Sequence, residues 1–222
     1  MINSDQNQAE KTRILIVDDH SLVRESLKRL VQNEPDWEVC GEAESREQAL
    51  TIVAASQPHL IILDLSLKDS HGTELIKDLH VQCPSAFILV LSMHDELIYA
   101  ERVIRAGAHG YITKQESPAK ILAAMRCVLR GEIYWTETAA ARVASKLVRR
   151  PRASANQTID SLTDREMQVL ERIGMGQGTR QIAATLHIDV STVETYRSRI
   201  KEKLDLKNGV ELLQFAIRWK GD

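Results

Sequence analysis

The sequence predicts a doubly wound α/β domain with a five-stranded parallel sheet, followed by an all-α domain. Between about residues 13 and 131, short apolar runs alternate with segments whose apolar residues recur at helical spacing. Several of these runs end in a polar residue, which is typical of buried parallel strands at the carboxyl edge of a sheet. After residue 131 only helical patterns remain. Strands that alternate with helices imply right-handed crossovers and therefore a parallel sheet.

The first domain is predicted to contain five strands and five helices in alternation. The strands are expected at residues 13–18, 38–43, 60–64, 87–92 and 110–113. The helices are expected at residues 21–32, 46–56, 72–81, 96–106 and 118–129. In the fifth helix, Ile121, Met125 and Val128 belong to an apolar stripe at helical spacing, and this face is expected to be buried.

The second domain is predicted to contain helices only. Thr163 and Glu166 have the spacing of a capping box, so a helix is expected to begin there. Two further helices, at 179–186 and 190–204, are separated by a short break, which is the spacing of a helix-turn-helix, and a last helix is expected at 209–219. We therefore expect four parts: a disordered tail (1–11), the α/β domain (12–131), a linker with a helix at 137–148 (132–160), and the helix-turn-helix domain (161–222).

The charge is distributed unevenly along the 222 residues. Residues 1–134 carry 14 Lys and Arg against 20 Asp and Glu, whereas residues 135–222 carry 15 against 11. A basic second half indicates a nucleic-acid partner. The apolar runs are too short for a membrane span, and the polar N-terminus lacks the apolar core of a signal peptide. Three widely spaced cysteines, Cys40, Cys83 and Cys127, fit reduced thiols, so a cytoplasmic location is expected.

Three carboxylates follow two of the predicted strands and predict a site for a phosphoryl group and a metal. Asp18 and Asp19 lie at the end of the first predicted strand, and Asp64 lies at the end of the third. Together with the backbone carbonyl of Ser66, these side chains offer the hard oxygen ligands that Mg²⁺ prefers. Asp64 is predicted to attack a phosphoryl group and become an aspartyl-phosphate. The hydroxyl and the ammonium at the ends of the last two strands, Ser92 and Lys114, are expected to bind the phosphoryl oxygens.

Four motifs in this half resemble those of bacterial response-regulator receiver domains, which have a flavodoxin-like fold. They are Ile-Leu-Ile-Val-Asp-Asp-His, Leu-Ile-Ile-Leu-Asp-Leu, Leu-Ser-Met and Ala-Gly-Ala-His-Gly-Tyr-Ile-Thr-Lys. The resemblance covers roughly residues 12–131. It implies that Asp64 is the phosphoacceptor, that Asp18, Asp19 and the Ser66 carbonyl lie at Mg²⁺, and that Ser92 moves toward the phosphoryl group. It also implies that Tyr111 is the aromatic switch, whose ring turns inward when that hydroxyl moves.

The resemblance further implies two residues that tune the lifetime of the phosphate. In receiver domains these are the positions two residues after the acceptor and two after the switch hydroxyl, here Ser66 and His94. A small Ser66 leaves room for water. His94 either shields the phosphate from that water or orients it, and the sequence leaves both readings open.

The predicted helix-turn-helix has the composition of a DNA-binding motif. Its second helix carries cations suited to phosphates and short polar side chains suited to base edges in the major groove. Its residues resemble the LuxR-type module, most clearly in Leu-Thr-Asp-Arg-Glu at 162–166 and Ser-Thr-Val-Glu-Thr-Tyr at 191–196. Together with a receiver, this module is typical of NarL/FixJ transcriptional regulators. The resemblance places base contacts at Glu194, Thr195 and Ser198, and backbone contacts at Arg180, Thr192, Tyr196, Arg199 and Lys203.

Two of these positions leave alternatives open. Tyr196 stands where the family often has His, although a tyrosine can still donate a hydrogen bond to phosphate. Glu194 either accepts a hydrogen bond from cytosine or lies near the positive N-terminus of its helix. That helix is capped by Asp189 or by Ser191; with Ser191 as cap, Glu194 would complete a capping box. The family pattern favours Asp189.

The resulting expectation is a DNA-binding transcriptional response regulator and not an enzyme. A sensor histidine kinase would phosphorylate Asp64 and thereby switch homodimerisation and promoter binding. The receiver would either pair with a second copy or release the DNA-binding half from an inhibitory contact, and two modules would then bind two half-sites. The pairing surface of the first domain is either its first and fifth helices or its fourth helix and fifth strand. In the second domain, Leu212, Leu213, Ala216 and Ile217 offer an apolar stripe for pairing or for the domain's own core.

Other functional classes fit the sequence less well. A phosphohydrolase of the haloacid-dehalogenase type needs a second Asp two residues after its nucleophile, and Ser66 stands there. A nucleotide-binding domain would need a Gly-rich loop after the first strand, which the sequence lacks. A receiver that acts only as a protein-binding adaptor would not need the helix-turn-helix.

Overall fold

The structure is a computed structural model that describes residues 11–67, 72–94, 96–137, 139–141 and 159–221. The chain divides into two compact units, Met1–Arg149 and Arg150–Asp222. The predicted tail and most of the predicted linker helix lie outside the described residues, so their boundaries stay predictions. Of that helix, residues 137 and 139–141 are described and are helical.

A five-stranded parallel sheet forms the centre of the first unit, which confirms the predicted fold class. The strands, in chain order, are β1 (Thr12–Val17), β2 (Trp37–Ala43), β3 (Leu60–Leu63), β4 (Phe87–Ser92) and β5 (Gly110–Thr113). Their order in the sheet is β2-β1-β3-β4-β5, and every neighbouring pair is parallel. The chain adds β2 on one side of β1 and then adds β3, β4 and β5 on the other side, so the direction of winding reverses between β1 and β3. Ligands of such sheets bind outside the carboxyl ends of the strands at this switch point.

Five helices alternate with the strands, as predicted. They are α1 (Ser21–Gln32), α2 (Arg46–Ser56), α3 (Gly72–Gln82), α4 (Glu96–Arg105) and α5 (Pro118–Leu129). Leu27 of α1 and Met125 of α5 belong to one buried cluster with Ile14 and Ile62 of the sheet. All four residues of β3 are buried, because a central strand of a doubly wound sheet has helices on both faces.

The second unit is helical, also as predicted. A 3₁₀ turn (Ile159–Ser161) is followed by α6 (Asp164–Gly174), α7 (Thr179–Leu186), α8 (Val190–Lys203) and α9 (Gly209–Gly221). The capping box of α6 is present: Thr163 Oγ1 accepts from Glu166 N at 3.3 Å, and Glu166 Oε2 accepts from Thr163 N at 2.7 Å. Gly174 brings α6 close to α9, since a Cβ atom there would lie 2.7 Å from the carbonyl oxygen of Ala216.

The helix-turn-helix core forms as the sequence suggests. Ile182 and Ala183 of α7 are buried, as are Val193 and Ile200 of α8. The apolar stripe of α9 divides into two faces. Leu212 and Ala216 are buried, whereas Leu213 and Ile217 are exposed together with Val210.

Candidate functional site

The three predicted carboxylates converge at the switch point of the sheet. Ligand atoms of Asp18, Asp19 and Asp64 all lie within 4.8 Å of one another, and His20 joins the same group. Asp18 and Asp64 are each only 2% exposed, whereas His20 is exposed. Such closely spaced carboxylates repel one another unless a cation lies between them.

The sheet itself positions these side chains. β1 ends at Val17 and β3 at Leu63, so both acids lie one residue beyond their strands. Asp18 N still donates to Ala43 O at 3.0 Å, and Asp64 N donates to Val17 O at 2.8 Å. The backbone of each acid therefore continues the ladder, and the two carboxylates stand side by side at the same edge.

Lys114 lies between two of the acids. Its ammonium nitrogen is 2.6 Å from Asp18 Oδ2 and 2.8 Å from Asp64 Oδ2, and its side chain is 8% exposed. Burial works to lower the pKa of Lys114, but Asp64 and Asp18 outweigh it and hold that pKa above its usual value. Burial raises the pKa of Asp64, and the neighbouring Asp18 adds to the rise, while Lys114 opposes it.

The donor set fits a magnesium ion. Three carboxylates face one ammonium, so an excess of negative charge remains when all are ionised. Carboxylate oxygens are the ligands that Mg²⁺ takes, with water completing its shell. Ser66 is held next to the cluster because its backbone N–H donates to Asp64 Oδ1 at 3.1 Å. This bond fixes the turn that carries the Ser66 carbonyl.

The predicted switch residues are joined through His94. Ser92 is fully buried, and its Oγ accepts from His94 N at 3.3 Å. Tyr111 is also fully buried, so its ring is turned inward, and its hydroxyl donates to the carbonyl oxygen of His94 at 2.9 Å. The ring is inward although Ser92 still bonds His94 N, so the two changes that the resemblance links do not occur together in this structure. The backbone of His94 therefore contacts both the predicted switch hydroxyl and the predicted switch ring.

The side chain of His94 bridges two loops at the rim of the cluster. Its Nε2 lies 3.0 Å from Ser66 Oγ, which joins the loop after β4 to the loop after β3. Its ring stacks on the buried ring of Tyr99 in α4, with 4.7 Å between centroids and 29° between planes. The two residues implied to tune the phosphate lifetime are thus in direct contact with each other.

Helix α8 presents an exposed polar face, which makes it the candidate DNA-binding helix. Thr195, Ser198 and Arg199 are exposed, and the last two follow Thr195 by three and four residues, which places all three on one side of the helix. Arg180 on α7 is exposed as well, and Thr192 and Tyr196 are half-buried. The hydroxyl of Thr195 donates to Ser191 O at 3.0 Å.

Lys203, a predicted contact to the DNA backbone, forms an ion pair inside the second unit. Its Nζ lies 2.6 Å from Glu166 Oε2, whose side chain is 2% exposed, while Lys203 itself is 34% exposed. Burial works to raise the pKa of Glu166, but Lys203 and the backbone of Thr163 outweigh it and hold that pKa below its usual value. The pair joins the end of α8 to the start of α6.

Glu194 is also tied to its own unit. Its Oε1 accepts from Thr179 Oγ1 at 2.8 Å, which joins α8 to the first residue of α7. The N-cap position of α8 is Asp189, as the family pattern indicates, although its side chain makes no capping hydrogen bond among the described residues. The alternative with Ser191 as cap and Glu194 as its capping-box partner is therefore wrong.

The structure adds two residues and one ion pair that the sequence reasoning missed. His20 Nδ1 lies 2.7 Å from Asp19 Oδ1. Its place in the sequence, directly after Asp18 and Asp19, could have predicted this contact. Tyr99 contacts His94 from α4, and a lone helical tyrosine gave no signal. Glu166 was recognised as a capping residue, but its pairing with Lys203 depends on how α6 and α8 cross.

Comparison with known proteins identifies the family. Residues 14–126 match the model of the response regulator receiver domain, and residues 160–216 match that of bacterial regulatory proteins of the luxR family. The oxygen regulatory protein NreC of Staphylococcus carnosus is 32% identical over 212 residues, which are 94% of this chain and 98% of NreC. The chain therefore belongs to the response regulators that join a receiver domain to a LuxR-type domain.

Two solved structures share the fold. A two-component response regulator of the LuxR family from Aurantimonas sp. SI85-9A1 is 31% identical, with a TM-score of 0.58 over 63% of this chain and 100% of that chain. RcsB from Salmonella enterica serovar Typhimurium, bound to promoter rprA in the presence of the phosphomimetic BeF3-, has a TM-score of 0.60 at 22% identity. That likeness covers 93% of this chain and 98% of RcsB. In the part of this chain that the structure describes, no helix is both long and apolar enough to cross a membrane.

Proposed function

We propose that this protein is a DNA-binding transcriptional response regulator whose Asp64 accepts a phosphoryl group from a sensor histidine kinase. The observation that carries the proposal is the site at the end of β3. Asp64 lies 2.8 Å from the ammonium of Lys114 and within 4.8 Å of two further carboxylates. A carboxylate, a nearby cation and oxygen ligands for a metal are the parts that aspartyl phosphorylation requires.

Each residue of the site has a proposed task. A carboxylate oxygen of Asp64 attacks the phosphorus, and the bond to the donor nitrogen of the kinase breaks. Lys114 and Ser92 bind the phosphoryl oxygens as a point charge and a hydroxyl donor. Asp18, Asp19, Asp64 and the Ser66 carbonyl would hold Mg²⁺, which neutralises charge on the transferred group when it is bound.

The site is suited to holding a phosphoryl group rather than turning over small phosphates. A phosphohydrolase of similar layout places a general acid two residues after its nucleophile. Ser66 occupies that position and has no carboxyl group to donate a proton to a leaving group. We therefore propose a regulatory role without enzymatic turnover.

The second unit is proposed to bind promoter DNA through α8. Its exposed face combines hydroxyls and a cation, with Thr195, Ser198 and Arg199 at helical spacing. RcsB, which shares the fold, was solved on promoter DNA with a phosphomimetic. Pairing of two copies would place two such helices on two half-sites, and the exposed residues Val210, Leu213 and Ile217 of α9 supply an apolar face for it. A protein that acts on bacterial promoters works in the cytoplasm.

The direct test combines phosphorylation and DNA binding. The full chain is incubated with Mg²⁺ and phosphoramidate, and its intact mass is measured for wild type, Asp64→Asn and the control Asp78→Asn on α3. We expect one phosphoryl group on wild type and control, and none on Asp64→Asn. Genome-wide DNA capture with the same three proteins then shows whether the phosphate controls occupancy. Occupancy that is the same with Asp64→Asn would contradict the switch and leave DNA binding intact.

A further inference from the structure

After α5, the chain returns to the sheet and pairs with the outer edge of β5. Tyr134 N donates to His109 O at 3.0 Å, and Tyr111 N donates to Tyr134 O at 2.9 Å. Tyr134 thereby forms a parallel bridge with Gly110. A Cβ atom on Gly110 would lie only 3.1 Å from Tyr134 Cβ and Tyr134 O, so the glycine permits this close approach. The beginning of the linker is thus held against the strand that carries Tyr111.

Two residues later the linker begins a helix, and Thr136 is its N-cap. Thr136 Oγ1 accepts from Ala139 N at 3.3 Å, and Thr136 O accepts from Ala140 N at 3.0 Å. A complete capping box also needs a carboxylate on the third helical residue, which accepts from the backbone N–H of the cap. That residue is Ala139, so the helix cannot supply the carboxylate itself.

The missing carboxylate comes from α4. Glu96 Oε1 accepts from Thr136 N at 2.8 Å, although 40 residues separate the two. Glu96 is only 8% exposed whereas Thr136 is exposed, so the bond is partly shielded from water. The start of the linker helix therefore has a capping box with one half from its own chain segment and the other half from α4.

The position of Glu96 connects this cap to the proposed phosphorylation site. Glu96 is the first residue of α4 and follows Ser92 by four residues. Within that short loop, His94 N donates to Ser92 Oγ and His94 O accepts from Tyr111. A Ser92 hydroxyl that turns toward a phosphoryl group gives up its bond with His94 N. The loop that sets the position of Glu96 then shifts.

We propose that Glu96 is a latch that caps the linker helix in the unphosphorylated protein and releases it when Asp64 is phosphorylated. The inference rests on the proposed role of Asp64. Release leaves the N–H of Thr136 without its carboxylate, so the first turn of the linker helix frays and the connection to the DNA-binding unit loosens.

Amide hydrogen exchange of the full chain tests the latch. We compare wild type, Glu96→Ala, Glu96→Gln and the control Glu101→Ala, another carboxylate of α4, each with and without beryllofluoride and Mg²⁺. Without beryllofluoride, Glu96→Ala should exchange about fivefold faster at residues 136–140, which corresponds to the loss of one helix cap. Glu96→Gln retains an oxygen acceptor and should stay close to wild type, as should Glu101→Ala. Beryllofluoride should produce the same increase in wild type and add little in Glu96→Ala.

The outcomes separate the latch from the proposed function. If beryllofluoride changes exchange around residues 92–94 but not at 136–140, the latch is wrong and phosphorylation of Asp64 stands. If Glu96→Ala exchanges like wild type at 136–140, the cap contributes nothing and the latch is also wrong. If beryllofluoride changes no segment of wild type, both proposals are overturned. If Glu96→Ala unfolds α4, Thr136→Pro is compared with Thr136→Ala, since both lose the Oγ1 acceptor of Ala139 N and only the proline also loses the N–H that donates to Glu96. Equal exchange in these two variants would contradict the latch.

Discussion

The Oγ atom of Ser66 and the Nε2 atom of His94 lie 3.0 Å apart, and this contact joins the loops after β3 and β4 next to Asp64. Stacking on Tyr99 holds the His94 ring from the other side, with the centroids 4.7 Å apart. A ring fixed by two neighbours excludes water from the volume that it fills. Of the two roles that the sequence left open for His94, the geometry therefore favours shielding the phosphate over orienting a water.

The first prediction concerns the lifetime of the phosphorylated protein. His94→Ala should shorten it roughly fivefold, because loss of one hydrogen bond of about 1 kcal/mol opens the rim to water. The measurement is the decay of the phosphorylated form at constant Mg²⁺, after the donor is removed. Ser66→Ala breaks the same contact from the other loop and should shorten the lifetime to a similar degree.

The double variant isolates the contact itself. If the bond between Ser66 and His94 is what shields the phosphate, Ser66→Ala with His94→Ala should decay no faster than the single variants. His80→Ala, which changes an exposed histidine of α3, serves as the control. A longer lifetime in His94→Ala would instead show that the imidazole orients the attacking water.

The second prediction is that an ionised Asp64 destabilises the folded protein when no metal ion is bound. The pKa of Asp64 is raised in the folded protein, so folding favours its protonated form. The protonated Asp64 therefore adds to the free energy of unfolding at pH values below the ordinary pKa of about 3.9. That contribution is lost as the pH rises through the higher pKa that Asp64 has in the folded protein. Asp64→Asn should therefore melt above wild type at pH 7 in metal-free buffer, and the difference should shrink as the pH falls toward 4.

With magnesium, wild type should melt above Asp64→Asn, because an ion that binds only the folded state stabilises it. At a concentration 100-fold above its dissociation constant, the gain is about 2.7 kcal/mol. Wild type should gain this stability and Asp64→Asn much less of it. Asp36→Asn, at an exposed carboxylate before β2, controls for the loss of a carboxylate. Equal gains in wild type and Asp64→Asn would remove Asp64 from the metal site.

Much of the fold was predictable because the inner strands of the first unit are short and mostly apolar and buried. β3 consists of four buried residues between polar neighbours, and β4 and β5 have the bounds that their apolar patterns predict. β2 was harder, because it lies at the sheet edge and is mostly half-buried, and it begins one residue earlier than predicted, at Trp37. Edge strands have weaker patterns, since one side lacks a neighbouring strand.

The site was predictable where a side chain follows its strand directly. Asp18, Asp64 and Lys114 are placed by strand ends, so their meeting follows from the topology alone. The partners of His94 and Glu194 depend instead on loop paths and helix crossings, which no local pattern encodes. Sequence therefore indicated that His94 lies near the site, whereas only the structure brings its ring to Ser66 and Tyr99.

The third prediction decides what Glu194 does on DNA. The bond from Thr179 to Glu194 orients α8, and Glu194→Gln can keep this bond while it removes a negative charge beside the phosphates. We expect Glu194→Gln to bind all sequences more tightly, with an unchanged order of preference. Binding to a library of randomised sites measures both quantities. A changed preference confined to one base pair would show that Glu194 reads a base. Glu202→Gln, an exposed acid of the same helix, is the control.

The last prediction separates two roles of Lys203, as a DNA contact and as the partner of Glu166. Lys203→Met keeps much of the alkyl stem but leaves the buried Glu166 carboxylate without its cation. We expect a loss of about 1–2 kcal/mol in the free energy of unfolding at pH 7, less than for a fully buried pair because Lys203 is a third exposed. Because the pKa of Glu166 is lowered in the folded protein, its ionised carboxylate stabilises the fold at pH values above the ordinary pKa of a glutamate. This stabilisation is lost as the pH falls through the pKa that Glu166 has in the folded protein. The difference between wild type and Lys203→Met should therefore narrow below about pH 4.

Salt dependence of DNA binding tests the other role of Lys203. If its ammonium also contacts a phosphate, Lys203→Met should reduce the slope of log affinity against log salt by about 1. Denaturant unfolding and DNA titration are measured on the same preparations, with Lys201→Met on the same helix as the control. We expect the structural role to dominate, since the ammonium already lies 2.6 Å from Glu166. An unchanged free energy of unfolding together with a reduced salt slope would contradict this and assign Lys203 to the DNA backbone, as the family resemblance implies.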